Sequence, residues 1–145
     1  MTSTLKSRQP GEGLVTKIVI DTNVLVSSLL SPEGNPYKVL ASVLNRQATV
    51  CYDSRIISEY QRALSHSKFP FEQRDVAELL SKICQFGIAV LPKPSSAILL
   101  DEGDKKFYEV AITAGAYLIT GNIKHFPDDP LVITPAEYLS HHIFE

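Results

Sequence analysis

Two hydrophobic patterns alternate along the chain: short runs of adjacent apolar residues, and longer stretches whose apolar residues recur every three or four positions. The first reads as strands buried on both faces, the second as amphipathic helices. Strands are predicted at Lys17-Ile18-Val19-Ile20, Ala48-Thr49-Val50-Cys51-Tyr52, 88–91, Tyr117-Leu118-Ile119-Thr120 and Leu131-Val132-Ile133. A short helix over 24–30 is broken by Ser31-Pro32-Glu33-Gly34-Asn35-Pro36, and Tyr37, Leu40, Val43 and Leu44 space a second, so the two form a hairpin. Asp53-Ser54 supplies cap chemistry for a helix striped by Ile56, Ile57, Tyr60 and Leu64. After a loop over 65–71, Val76, Leu79, Leu80 and Ile83 pattern the next helix, with Gly87 at its end. Asp101-Glu102-Gly103-Asp104 opens a helix bearing Phe107, Val110, Ala111 and Ala114, and Gly115 closes it. Thr134-Pro135-Ala136-Glu137 combines a capping box with Pro at the first helical position, ahead of a short helix with Tyr138 and Leu139.

Strands alternating with helices throughout indicate an α/β fold: three α/β/α layers around a central parallel sheet, joined by right-handed crossovers. At 145 residues the chain is one domain, placed at 17–145, which can bury a core without disulfides or structural metal. Residues 1–16, polar and containing Gln9-Pro10-Gly11-Glu12-Gly13, read as a flexible tail without the apolar block of a signal peptide. No apolar run reaches the length of a membrane span. Cys51 and Cys84 lack C-x-x-C spacing and lie among apolar neighbours, so both read as buried free thiols, in keeping with a reducing cytoplasm. The net charge of −2 and pI near 6.1 provide no global basic field, so nucleic-acid binding would need a local patch.

Chemistry enters with the acids. The apolar run at 17–20 stops at Asp21, and the carboxyl end of such a strand is where α/β folds place their ligands. A parallel sheet would collect Asp21 and Gly121-Asn122 on one rim, with Glu59 and Asp104 reaching it from two helices. Crowded carboxylates repel one another unless a cation or a proton neutralises them, and hard oxygen ligands suit Mg²⁺ or Mn²⁺. Each acid also has a plainer explanation. Asp21 can cap the following helix, Glu59 can pair with Arg55 or Arg62 on a solvated face, and Asn122 can be a turn residue. Asp101 and Asp104 both suit the positive end of a helix, and for Asp101 the cap reading is the better one.

In order, four motifs resemble a known pattern: Ile-Asp-Thr-Asn-Val-Leu at 20–25, Ser-Glu-Tyr at 58–60, Asp104-x-x-Phe107-x-x-x-Ala111, and Leu118-Ile119-Thr120-Gly121-Asn122-x-x-His125-Phe126. They resemble a PIN domain, closest to the stand-alone proteins described as toxin components of VapBC-like toxin–antitoxin pairs, from about Lys17 to the end of the chain. The resemblance implies a cytoplasmic, Mg²⁺- or Mn²⁺-dependent ribonuclease acting on single-stranded or looped RNA through a metal-activated water that attacks in line. It assigns the ligands by position: the acids Asp21, Glu59 and Asp104, with Asn122 at the fourth place, as catalytic metal ligands. At the fourth position the family often has Asp, and Asn122 removes one negative charge. Thr22, Asn23 and Thr120 would position ligands or water. Arg55, Arg62, Lys68, Lys105, Lys106, Lys124 and His125 are candidate RNA contacts. Similar toxins form homodimers and are silenced by an antitoxin protein.

Other classes fit less well. A haloacid-dehalogenase-type phosphatase needs a second Asp two positions after the first, where this chain has Asn23. A nucleotide-binding module needs a G-x-G-x-x-G or P-loop after the first strand, and neither is present. A PIN-like module that binds RNA or protein without cutting remains the alternative, because Asn122 thins the acidic set.

Overall fold

The computed structural model describes residues 15–141. The elements in order are β1 (Thr16–Ile20), α1 (Thr22–Leu30), α2 (Asn35–Leu44), β2 (Ala48–Tyr52), α3 (Ser54–Leu64), α4 (Gln73–Phe86), β3 (Ile88–Ala89), a 3₁₀ turn (Glu102–Asp104), α5 (Lys105–Ala114), β4 (Tyr117–Ile119), a second 3₁₀ turn (Ile123–His125), β5 (Val132–Ile133) and α6 (Pro135–His141). The five strands form a sheet in the order β3-β2-β1-β4-β5. Every pairing is parallel, with Ile18 opposite Val50 on one side and Tyr117 on the other.

The expected three-layer α/β/α architecture holds, and β1 shows why. Ile18, Val19 and Ile20 are all buried although successive side chains point to opposite faces, so both faces of the central strand are covered. Helix α5 packs across β1, β2 and β4, and α3 contacts both α4 and α5. Helices α1 and α2 pack together as the predicted hairpin, and α2 also meets α6. Phe107, Tyr60 and Tyr138 are the largest side chains sealed inside.

Several local expectations hold atom by atom. The Asp53 side chain accepts from the Ile56 amide at 3.0 Å, Gly115 is left-handed at φ 65°, and Thr134 and Glu137 exchange reciprocal bonds. Gly87 ends α4 for a different reason from the one expected: its backbone is extended, and a Cβ there would lie 2.5 Å from the Ile83 carbonyl and 2.6 Å from that of Val50.

Three expectations need correction. The strand predicted over 88–91 ends at Ala89; only the Val90 amide still bonds to the Tyr52 carbonyl, and Leu91 is 94% exposed. Cys51 is buried but Cys84 is exposed, because α4 buries Val76, Leu80 and Ile83 and Cys84 follows that stripe by one residue, about 100° further round. Thr16, placed in the tail, opens β1; residues 1–14 of that tail lie outside the described residues. No described helix is long and apolar enough to cross a membrane.

Candidate active site

The strand order determines where a site can form. Strand β1 connects to β2 on one side, whereas the chain returns to its other side only with β4, so the order reverses between β1 and β4. In open parallel sheets the crevice beyond the carboxyl ends of two such strands receives ligands. Asp21 leaves β1 there and Thr120 leaves β4, and the Asp21 amide continues the ladder to the Ile119 carbonyl at 3.0 Å.

Asp21 occupies the cap position of α1, yet its side chain caps nothing. Its Oδ2 instead accepts from the Thr120 hydroxyl at 2.8 Å, and that hydroxyl accepts from the Asn122 amide at 3.0 Å. Burial pushes the Asp21 carboxyl above its ordinary range; the Thr120 bond opposes this and the nearby Glu59 adds to it. Asp21 is 5% exposed; besides the Thr120 hydroxyl, the neighbouring Thr22 and Asn23 amides favour its charged form, and no Lys or Arg is paired to it among the described residues.

Glu59 reaches this corner because α3 is anchored beside it. The buried Tyr60 donates its hydroxyl to the Ile20 carbonyl, one residue before Asp21. Thr22 donates to one oxygen of Glu59 at 2.5 Å and the Lys106 ammonium lies 2.5 Å from the other. Pairing of Glu59 with Arg55 or Arg62 is therefore not what forms: Arg55 turns to Asp53 at 2.7 Å and Glu109 at 3.1 Å. The reason is burial, since those two acids are 9% and 8% exposed and need a charge partner.

Asp104 precedes α5 without capping it, whereas Asp101 accepts from the Gly103 amide at 2.8 Å, as the cap reading required. The carboxyl of Asp104 is pushed up to about 6, by burial first and then by the charges of Asp21, Asp101 and Glu59, with His125 pulling the other way. His125 approaches it at 3.8 Å. Asp21, Glu59 and Asp104 thus sit close enough to feel one another. Asn122 is exposed and takes part through its backbone, and Asn23 is exposed with no side-chain hydrogen bond among the described residues.

The donors the structure brings together are carboxylate oxygens, which suit a hard divalent ion, and the mutual repulsion at Asp104 is what such an ion would relieve. The side chains do not already form a cage: among the described residues no three of His, Cys, Asp or Glu converge to hold a metal. Glu59 is held instead by Thr22 and Lys106.

The predicted RNA contacts divide into separate groups. Arg55, Arg62, Lys105 and Lys106, with Ser54 and Ser58, line a groove of about 530 Å³ between α3 and α5 that also carries Glu102 and Glu109. Lys124 and His125 line a second depression with Ile98 and Leu100, and Lys68 lies over the Phe69 ring. Lys106, by its sequence signal only a surface cation, is paired with Glu59, and Glu109, an acid on the apolar face of α5 that gives no sequence signal, pairs with Arg55 beside the site.

Fold and site together define a parallel α/β domain with under-compensated acids at its switch point. The chain belongs to the PIN domain family, whose model matches residues 17–124. PIN domains are generally nucleases and typically use divalent metal ions. The uncharacterized protein MJ1680 of Methanocaldococcus jannaschii is 29% identical over 114 residues, spanning 77% of this chain and 74% of that protein. A chain in the crystal structure of VapBC2 from Rickettsia felis, bound to a DNA fragment from their promoter, superposes with a TM-score of 0.55 at 20% identity. The match covers 82% of this chain and 97% of that one.

Proposed function

We propose that this chain is a divalent-metal-dependent endoribonuclease cleaving single-stranded or looped RNA. The observation that carries the proposal is the pair Asp21 and Asp104: both carboxyls are pushed up by burial and by neighbouring acids, at the crevice where α/β sheets bind ligands. Mg²⁺ or Mn²⁺ held by Asp21 and Asp104, with Glu59 and Asn122 direct or through water, would polarise a scissile phosphate and lower the pKa of a water. Thr120 fixes the Asp21 carboxylate, and Thr22 does the same for Glu59. The groove between α3 and α5 offers Arg62 and Lys105 to the RNA backbone, while Arg55 on the same lining is engaged by Asp53 and Glu109.

The likeness to a chain of the Rickettsia felis VapBC2 complex supports reading the protein as the toxin of a toxin–antitoxin pair. An antitoxin partner, a homodimer and a cytoplasmic location go with that reading. The test is cleavage of unstructured RNA with Mn²⁺, comparing wild type with Asp21→Asn and Asp104→Asn. Metal-dependent cutting by wild type that both variants lose is the expected result. Equal activity in all three overturns the proposal, and RNA binding without cutting by any of them favours a binding module.

A further inference from the structure

Lys106 is the one cation among the described residues paired directly with a member of the acidic set through a side chain only 13% exposed. Its ammonium meets Glu59 at 2.5 Å and also the Gly103 carbonyl, and lies 5.1 Å from the centroid of the Phe107 ring. Both ends of the contact are held: Thr22 fixes the other oxygen of Glu59, and α5 begins at Lys105. A lysine on a flexible stem at a protein surface would cost side-chain entropy for little return. Here the backbone carbonyl, the hydroxyl and the carboxylate together define one position for the ammonium.

Counting charge gives this a consequence. Asp21, Glu59 and Asp104 bring three negative charges when ionised, Asn122 brings none, and Lys106 removes one. Two remain, which one divalent cation matches. We infer that Lys106 is a positioning residue that serves as a built-in second cation, holding Glu59 and limiting the site to a single divalent ion at Asp21 and Asp104. The inference rests on the metal-dependent reading above and concerns how many ions that site takes.

Calorimetric titration of the full-length protein with Mn²⁺, without RNA, tests this independently of cleavage. Wild type is expected to bind one Mn²⁺, and Asp21→Asn to lose it. Lys106→Met, which keeps the apolar stem and removes the repelling charge, should bind Mn²⁺ about tenfold more tightly. Lys106→Arg should keep the wild-type count. Lys106→Met combined with Asn122→Asp, which raises the acidic charge to four, should take a second ion. Two ions in wild type, or wild-type affinity in Lys106→Met, overturn the role of Lys106 while leaving the nuclease reading intact. No Mn²⁺ bound by wild type overturns both.

Discussion

The elements around the site carry two groups of buried or half-buried acids that differ in the countercharge the chain gives them. On one side Arg55 serves both Asp53 and Glu109, and each acid has a backbone amide as well, Ile56 at 3.0 Å and Ser95 at 2.8 Å. On the other side, among the described residues, Asp21 has the Thr120 hydroxyl and neighbouring backbone amides but no Lys or Arg, and the carboxyl of Asp104, with only His125 at 3.8 Å, is pushed up to about 6. All four side chains are largely shielded from water, so burial of an acid does not by itself distinguish chemistry from architecture. What distinguishes them is whether the fold supplies the countercharge. The arginine-paired group has its countercharge within the chain, whereas Asp21 and Asp104 have no Lys or Arg paired to them among the described residues.

The largest effect should separate the groups by activity. Asp21→Asn or Asp104→Asn should reduce Mn²⁺-dependent cleavage by at least about 100-fold, since even residues that only orient metal ligands cost 10- to 100-fold. Asp53→Asn, on the paired side, should cleave at close to the wild-type rate while unfolding at lower temperature. If Asp53→Asn lost cleavage as fully as Asp21→Asn, the division into two groups would collapse.

Stability should separate them in the reverse sense. Arg55→Met leaves Asp53 and Glu109 buried without their cation. Breaking a fully buried pair costs about 3–5 kcal/mol, and because Arg55 is 47% exposed the expected loss is about 1–2 kcal/mol, read by urea unfolding. An unchanged midpoint would show that the arginine does not hold the pair.

How far these groups can be read in sequence differs as well. The parallel sheet, the hairpin and the capping residues are legible because they depend on local periodicity and on single turns, as with Asp53, Gly115 and Thr134. Asp21 is legible because a strand end is a local event with a fixed direction. The partnerships are not: Arg55 joins Glu109 across 54 positions of sequence, and Lys106 reaches Glu59 from another helix. Near neighbours in sequence misdirect here, since Arg55 stands one helical turn before Glu59 and yet turns the other way. Glu109 lies among the apolar positions of α5, where periodicity predicts no acid at all. Cys84 misleads for a related reason, because apolar neighbours in sequence do not determine which side of a helix faces water.

Acid titration sharpens the comparison further. Asp104 has an ordinary value of 3.8 and is pushed up to about 6 in the folded chain. Between about pH 4 and pH 6 the metal-free folded protein therefore holds a proton that the unfolded chain has released. The folded state binds more protons there, so stability falls as pH rises through this window and stays lower above it; Asp21 acts in the same direction. Thermal unfolding of the metal-free protein at pH 4 and pH 7 should show this decline, with a smaller decline in Asp104→Asn. Mn²⁺ at pH 7 should raise the melting temperature of wild type more than that of the variant. Identical pH dependence in both proteins would mean that the crowding at Asp104 carries no strain.

The smallest expected effect lies within the switch-point group, between its two threonines. Among the described residues the Thr120 hydroxyl is the one side-chain hydrogen-bond donor to Asp21; it is fully buried and also accepts from the Asn122 amide. Thr120→Val frees an uncompensated acid and orphans an amide, so Mn²⁺ affinity should weaken about tenfold, as for other groups that orient a metal ligand. Thr22 also donates to an acid, at 2.5 Å, but Glu59 keeps Lys106 when that hydroxyl is removed. Thr22→Val should therefore change Mn²⁺ affinity far less and cost about 0.5–1 kcal/mol of stability. Equal weakening by the two valine variants would place Glu59 beside Asp21 in dependence on its hydroxyl, and would mean that the lysine does not hold that carboxylate unaided.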